Sequence, residues 1–129
     1  MTQLNQVYRC NICGNIVEAV HGGVGQLVCC GQATELLEEK IADIGQEKHL
    51  PVVEKNSGGI KIKIGSLPHP MEEKHYIEWA EVIIDNNLSR KLLKPGNKPE
   101  VEFLGITGQI KVKIYCNIHG LWKTEFFVE

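Results

Sequence analysis

The sequence predicts a mainly β protein in two parts, a small metal-bound N-terminal module followed by an immunoglobulin-like β-sandwich. Three observations carry the prediction. Four of the five cysteines, Cys10, Cys13, Cys29 and Cys30, crowd into the first 30 residues of a 129-residue chain, and only Cys116 lies beyond them. After them come about seven short stretches of alternating or β-branched residues separated by turn signals, the pattern of a sandwich. The balance of 43% hydrophobic and 23% charged residues is that of a globular chain, not a disordered or collagenous one.

In chain order, residues 1–37 read as the module. Asn15-Ile16-Val17 and Gln26-Leu27-Val28 flank a glycine-rich turn, Gly22-Gly23-Val24-Gly25, and are expected to pair as a hairpin. Below about 40 residues a chain buries too little apolar surface to fold without a metal, a disulfide or a partner. Residues 38–46 read as a linker. Across 34–44, Leu36, Leu37, Ile41 and Ile44 show partial helical spacing with no stop signal, so a strand or a helical turn fits equally. Residues 47–129 read as the sandwich. Ile60-Lys61-Ile62-Lys63-Ile64 alternates strictly after Asn56-Ser57-Gly58-Gly59, which predicts a hairpin from Val52-Val53. Stretches 75–84, 101–104, 110–116 and 121–128 continue the strand pattern, with a turn at Lys94-Pro95-Gly96-Asn97.

Charge and composition narrow the functional classes. Fourteen Lys and Arg against sixteen Asp and Glu leave a net charge of −2, which disfavours binding nucleic acid over a broad surface. No stretch approaches the roughly 18 to 20 apolar residues of a membrane span. Residues 1–6 show neither a basic flank nor an apolar core, so no signal peptide is expected and a cytoplasmic location is. In a reducing compartment clustered cysteines bind metal more often than they form disulfides, and an odd cysteine number also argues against a fully paired scaffold.

Two constellations carry chemistry. Cys10-x-x-Cys13 sets two thiols on one tight turn, and Cys29-Cys30 returns with the other pair. Soft thiolates in a tetrahedral set select iron or zinc, and spacing alone leaves both open. Adjacent residues of an extended chain point to opposite sides, so Cys29 and Cys30 are expected to reach one ion only in a distorted tetrahedron. The second constellation is His49, His69, His75, Cys116 and His119. Cys116 is in phase with Ile110, Val112 and Ile114, which aims its sulfur at the face they bury, and Cys116-x-x-His119 follows that strand. His69 and His75 share a loop that Pro68 and Pro70 stiffen, and only His21 stands outside the set. Imidazoles with one thiolate suit iron or copper.

Cys10-Asn11-Ile12-Cys13-Gly14, Val28-Cys29-Cys30, Glu47-Lys48-His49-Leu50-Pro51, His69-Pro70-Met71-Glu72-Glu73-Lys74-His75 and Cys116-Asn117-Ile118-His119-Gly120 together resemble desulfoferrodoxin, the two-iron class of superoxide reductases. The resemblance runs over essentially the whole chain. It implies a desulforedoxin-like N-terminal domain, a homodimer and iron in both sites. Cys10, Cys13, Cys29 and Cys30 would hold the first iron. His49, His69, His75 and His119 would lie around the second, with Cys116 axial and the opposite position open. It further implies reduction of superoxide to hydrogen peroxide with electrons from rubredoxin or a similar donor. Lys48 would steer superoxide and support protonation, and Glu47 would close the open position on ferric iron. Ile114 and Leu121 receive packing roles only. The alternative is a non-enzymatic iron electron-transfer protein, separable by whether the second site binds small anions.

Overall fold

A computed structural model of the protein describes residues 1–41, 49–65 and 69–129. The chain divides into two compact units, Met1–Glu38 and Glu39–Glu129. All regular structure among the described residues is β.

In the first unit β1 (Val7–Arg9) is flanked by β2 (Ile16–Glu18) and β5 (Glu35–Leu36), both antiparallel. A separate ribbon joins β3 (Val28–Cys29) to β4 (Gln32–Ala33). Only Val7, Tyr8 and Cys10 are buried among its apolar side chains, too few to hold a fold by burial alone. The hairpin expected between 15–17 and 26–28 does not form. β2 pairs with β1 instead, and the N-terminal residues occupy the backbone of the following loop. Thr2 N donates to the Gly23 carbonyl at 2.9 Å and Asn5 N to the Ala19 carbonyl at 2.7 Å. Gly22 must be glycine there, because a Cβ would stand 2.6 Å from the Thr2 carbonyl oxygen. Of the two expectations for 34–44 the strand holds: two short strands occupy its described part, and Ile44 lies outside the described residues.

The second unit is a two-sheet sandwich. β6 (Glu39–Lys40), β9 (Ile77–Ile84), β10 (Asn87–Leu92), β12 (Gly108–Cys116) and β13 (Gly120–Val128) form one sheet in the order β10-β9-β12-β13-β6. β7 (Pro51–Asn56), β8 (Gly59–Ile64) and β11 (Glu100–Leu104) form the other in the order β11-β8-β7. The predicted hairpin over 56–59 is β7–β8. Alternation puts Ile60, Ile62 and Ile64 of β8 into one core with Val101 and Phe103, Ala80 and Val82, and Ile110, Val112, Ile114 and Cys116. Each fully buried Ile contributes about 1.5–3 kcal/mol, and Ile62→Ala, which opens a cavity at its centre, is expected to cost about 2–5 kcal/mol.

The strand β10 escapes the sequence reading. It is joined to β9 by Asp85 and Asn86, both left-handed with φ of 48° and 67°, the backbone of a type I′ turn. On the outer face of the large sheet, register lines up Arg90 opposite Glu81, Glu81 opposite Lys113 and Lys113 opposite Lys123. Glu39 relieves the like-charge pair, with its carboxylate 2.6 Å from Lys113 Nζ and 3.4 Å from Lys123 Nζ. A one-residue slip of any of these strands would break that ladder.

Candidate metal centres

The first cluster starts with a tight turn. Cys10 N donates to the Asn15 carbonyl at 2.8 Å and Gly14 N to the Cys10 carbonyl at 2.9 Å, so residues 10–14 curl around the Cys10 sulfur. The Cys13 N–H lies 3.5 Å from Cys10 Sγ. That N–H and its neighbour at Ile12 lower the Cys10 pKa to about 6. Cys29 is pushed up to about 12 by hydrogen bonding with the Cys13 and Cys10 thiols, and Cys30 is also raised. With Cys10 easily ionised and Cys29 and Cys30 held protonated, thiolates at all of these positions require a cation among them. Cys13 Sγ lies 3.5 Å from Cys29 Sγ, and Cys29 Sγ 3.9 Å from Cys30 Sγ. The chain is not extended at Cys29-Cys30. Cys30 and Gly31 are left-handed, with φ of 53° and 78°, and this reversal brings adjacent sulfurs to one side.

The second cluster gathers at the sandwich end where β12 stops and β7, β9 and β13 begin. Ligand atoms of His49, His69, His75, Cys116 and His119 all lie within 4.8 Å of one another. Cys116, fully buried, ends β12, and the turn to β13 returns the His119 N–H to 3.4 Å from its sulfur. Burial pushes the Cys116 thiol up, while the N–H groups of His119 and Ile118 pull it back down. His119 turns Nδ1 inward, 3.0 Å from His49 Nε2 and 3.7 Å from Cys116 Sγ. His69 is the most telling of the four. Its Nδ1 lies 2.7 Å from the Pro70 carbonyl oxygen, which can only accept, so Nδ1 carries the proton and Nε2 a lone pair. That Nε2 is buried and has no hydrogen-bond partner among the described residues. Burial lowers the His69 pKa to about 4, which keeps the ring neutral, as a ligand must be. An orphaned buried acceptor amid other donors fits a metal ion.

Sequence reading missed the residues that hold these ligands in place. Asn117 clasps the loop carrying His75: its Oδ1 accepts from Tyr76 N at 3.0 Å and its Nδ2 donates to the Lys74 carbonyl at 3.0 Å. Trp122 stacks on His49 with ring centroids 4.7 Å apart and planes within 11°. A Cys-x-x-His motif followed by an aromatic on the inward phase of the next strand is the one local signal that could have pointed to Trp122. Glu47 and Lys48 lie outside the described residues.

Comparison with known proteins decides the family. The sequence profile of the desulfoferrodoxin family matches residues 41–125, and that of the desulfoferrodoxin N-terminal domain matches residues 2–37. The chain belongs to the desulfoferrodoxin family. It is similar to a desulfoferrodoxin homolog of Archaeoglobus fulgidus, 55% identical over 96% of this chain and 99% of that one. It is likewise similar to the desulfoferrodoxin of Syntrophotalea carbinolica, 54% identical over 97% and 99%. Among solved structures, the superoxide reductase of Treponema pallidum superposes with a TM-score of 0.75 at 27% identity, covering 92% of this chain and 96% of that one. The two donor sets fit a desulfoferrodoxin with two irons, one held by four thiolates and the other by four imidazoles and a thiolate.

Proposed function

We propose that this desulfoferrodoxin is a superoxide reductase, converting superoxide, one electron and two protons into hydrogen peroxide. One observation carries the reading, the gathering of four imidazoles and one thiol around a common centre with a buried, unsatisfied nitrogen at His69. Cys10, Cys13, Cys29 and Cys30 would hold one iron, and His49, His69, His75, Cys116 and His119 the other. Iron in the second site supplies one-electron chemistry and attraction for a small anion. Five protein donors are one fewer than an octahedral ion takes, which suits a binding position for superoxide.

The roles of the chain's own groups follow from their chemistry. Neutral imidazoles add no charge to the centre, so the ion and one thiolate leave it net positive toward an incoming anion. Lys48 supplies a local cation on a chain of net charge −2, drawing superoxide in and supporting proton delivery to the product. Glu47 would supply a hard carboxylate, which suits the oxidised centre better than the reduced one and would compete there with other anions. We assign 1–37 to the first centre and 47–129 to the catalytic domain, with 38–46 joining them and lending β6 at Glu39–Lys40 to the sandwich sheet. Because no dioxygen is produced, an outside reductant is needed, and a rubredoxin-like protein is the donor we propose. Exposed Ile12, Val20, Val24 and Val28 suit a homodimer, and cysteines that all serve as metal donors suit the cytoplasm. Mixing pre-reduced protein with superoxide tests the reading: peroxide without dioxygen is expected, and dioxygen release would replace the reductase with a dismutase.

A further inference from the structure

Lys40 is placed beside the second cluster by an unusual pairing. Its two-residue strand, β6, joins β13 in parallel, with Glu39 opposite Leu121 and Lys40 opposite Trp122. The ammonium donates to the His119 carbonyl at 2.7 Å and sits 5.1 Å from the centroid of the Trp122 ring. Trp122 is the ring stacked on His49. Gly120, at φ 90°, makes the left-handed turn between His119 and β13 that sets the His119 carbonyl beside Lys40. One cation thus touches the backbone of one ligand residue and the aromatic support of another. Both contacts strengthen where water is partly excluded, as beside this half-buried side chain.

We propose that Lys40 is a positioning residue of the second iron site: it pins His119 and the Trp122–His49 stack, and its fixed positive charge favours the ferrous over the ferric state. This rests on the reading of that cluster as a redox iron site. The physical basis is that oxidation adds positive charge to a centre already facing a cation held in one place by two contacts. A lysine free in solvent would be screened and would have little effect. This one is held by a charge-assisted hydrogen bond on one side and an indole on the other. Its residues are far apart in sequence, 79 positions between Lys40 and His119, so the arrangement exists only in the folded sheet.

The test compares iron-loaded wild type with Lys40→Met, which keeps the apolar stem, Lys40→Gln, which keeps a donor without charge, and Lys40→Arg, which keeps both. The readouts are the midpoint potential of the second centre by titration of its ferric absorption band, and the rate of iron loss to a chelator. Met and Gln should raise the ferric-to-ferrous ratio at fixed potential about tenfold, a fall of about 59 mV for a one-electron couple. Met should also release iron several-fold faster, and Arg should restore the wild-type potential. If Met fails to fold by circular dichroism, Gln decides by the same criterion. A wild-type potential in Met or Gln, or a fall in Arg as large as in Met, would overturn the role of the charge. Absence of any iron couple from that site in the unsubstituted protein would instead overturn the reading on which the inference rests.

Discussion

Cys30 holds a left-handed backbone, at a cost of about 1–2 kcal/mol for a residue with a Cβ. The return is that neighbouring cysteines face one ion, an arrangement that expecting an extended chain there misses. Single residues also set the chemistry of the second site. If Lys48 steers the anionic substrate as proposed, Lys48→Ile should slow its capture about tenfold. The rate should also lose part of its dependence on ionic strength. Stopped-flow rates at low and high salt check this, and an unchanged rate with an unchanged slope would return Lys48 to a solvated loop charge. Glu47→Ala is expected to leave capture by the reduced protein nearly unchanged. Its oxidised form should show a shifted absorption band and bind azide more tightly, since the carboxylate no longer competes. A wild-type spectrum with wild-type azide affinity would remove Glu47 from the site.

Between strands, the charge ladder on the large sheet makes a pH prediction. Glu81 is fully buried, and burial raises its pKa to about 7 despite the opposing charge of Lys113, with Glu39 adding to the rise. Arg90 Nη2 lies 3.0 Å from Oε2 and also favours the ionised form. A carboxyl whose folded pKa exceeds its ordinary value near 4.5 binds protons more tightly in the native state. Its contribution to stability is greatest below pH 4.5 and falls as pH rises toward 7, by up to about 1.4 kcal/mol per pH unit. Urea unfolding of wild type against Glu81→Gln at pH 5 and pH 7.5 measures the difference. The wild type should lose stability relative to the variant across that range, and parallel curves would contradict the assignment. Elements with strict alternation, such as 60–64, were legible because burial on one face writes a period of two into the sequence. β10 was not, since Asn87-Leu88-Ser89-Arg90-Lys91-Leu92 is an exposed edge with little pattern, and Asp85-Asn86 lacks the glycine that marks a type I′ turn. Likewise, 15–17 and 26–28 look like partners locally, but the N-terminal residues, distant in sequence, take the loop between them.

At the scale of the whole molecule, the chain carries two donor sets in two separate units. The ligands themselves were legible, because cysteine and histidine at motif spacing are rare residues in a telling order. Asn117, Trp122 and Lys40 were not, because their contacts join residues at least 41 positions apart, and Asn and Lys are besides common on surfaces. Separation into units predicts a division of labour. Cys13→Ser should abolish or disturb the first centre while the sandwich, with its own core, keeps its iron and reduces superoxide when pre-reduced. Loss of that activity with the second centre spectroscopically intact would show that the first is required for the reaction. The measurement that bears most directly on the account is metal content per chain taken together with the optical spectrum of the purified protein. Two irons per chain are the predicted result, with separate ferric-thiolate bands for the four-cysteine site and for the site of four histidines and one cysteine. Zinc in a colourless protein would contradict it.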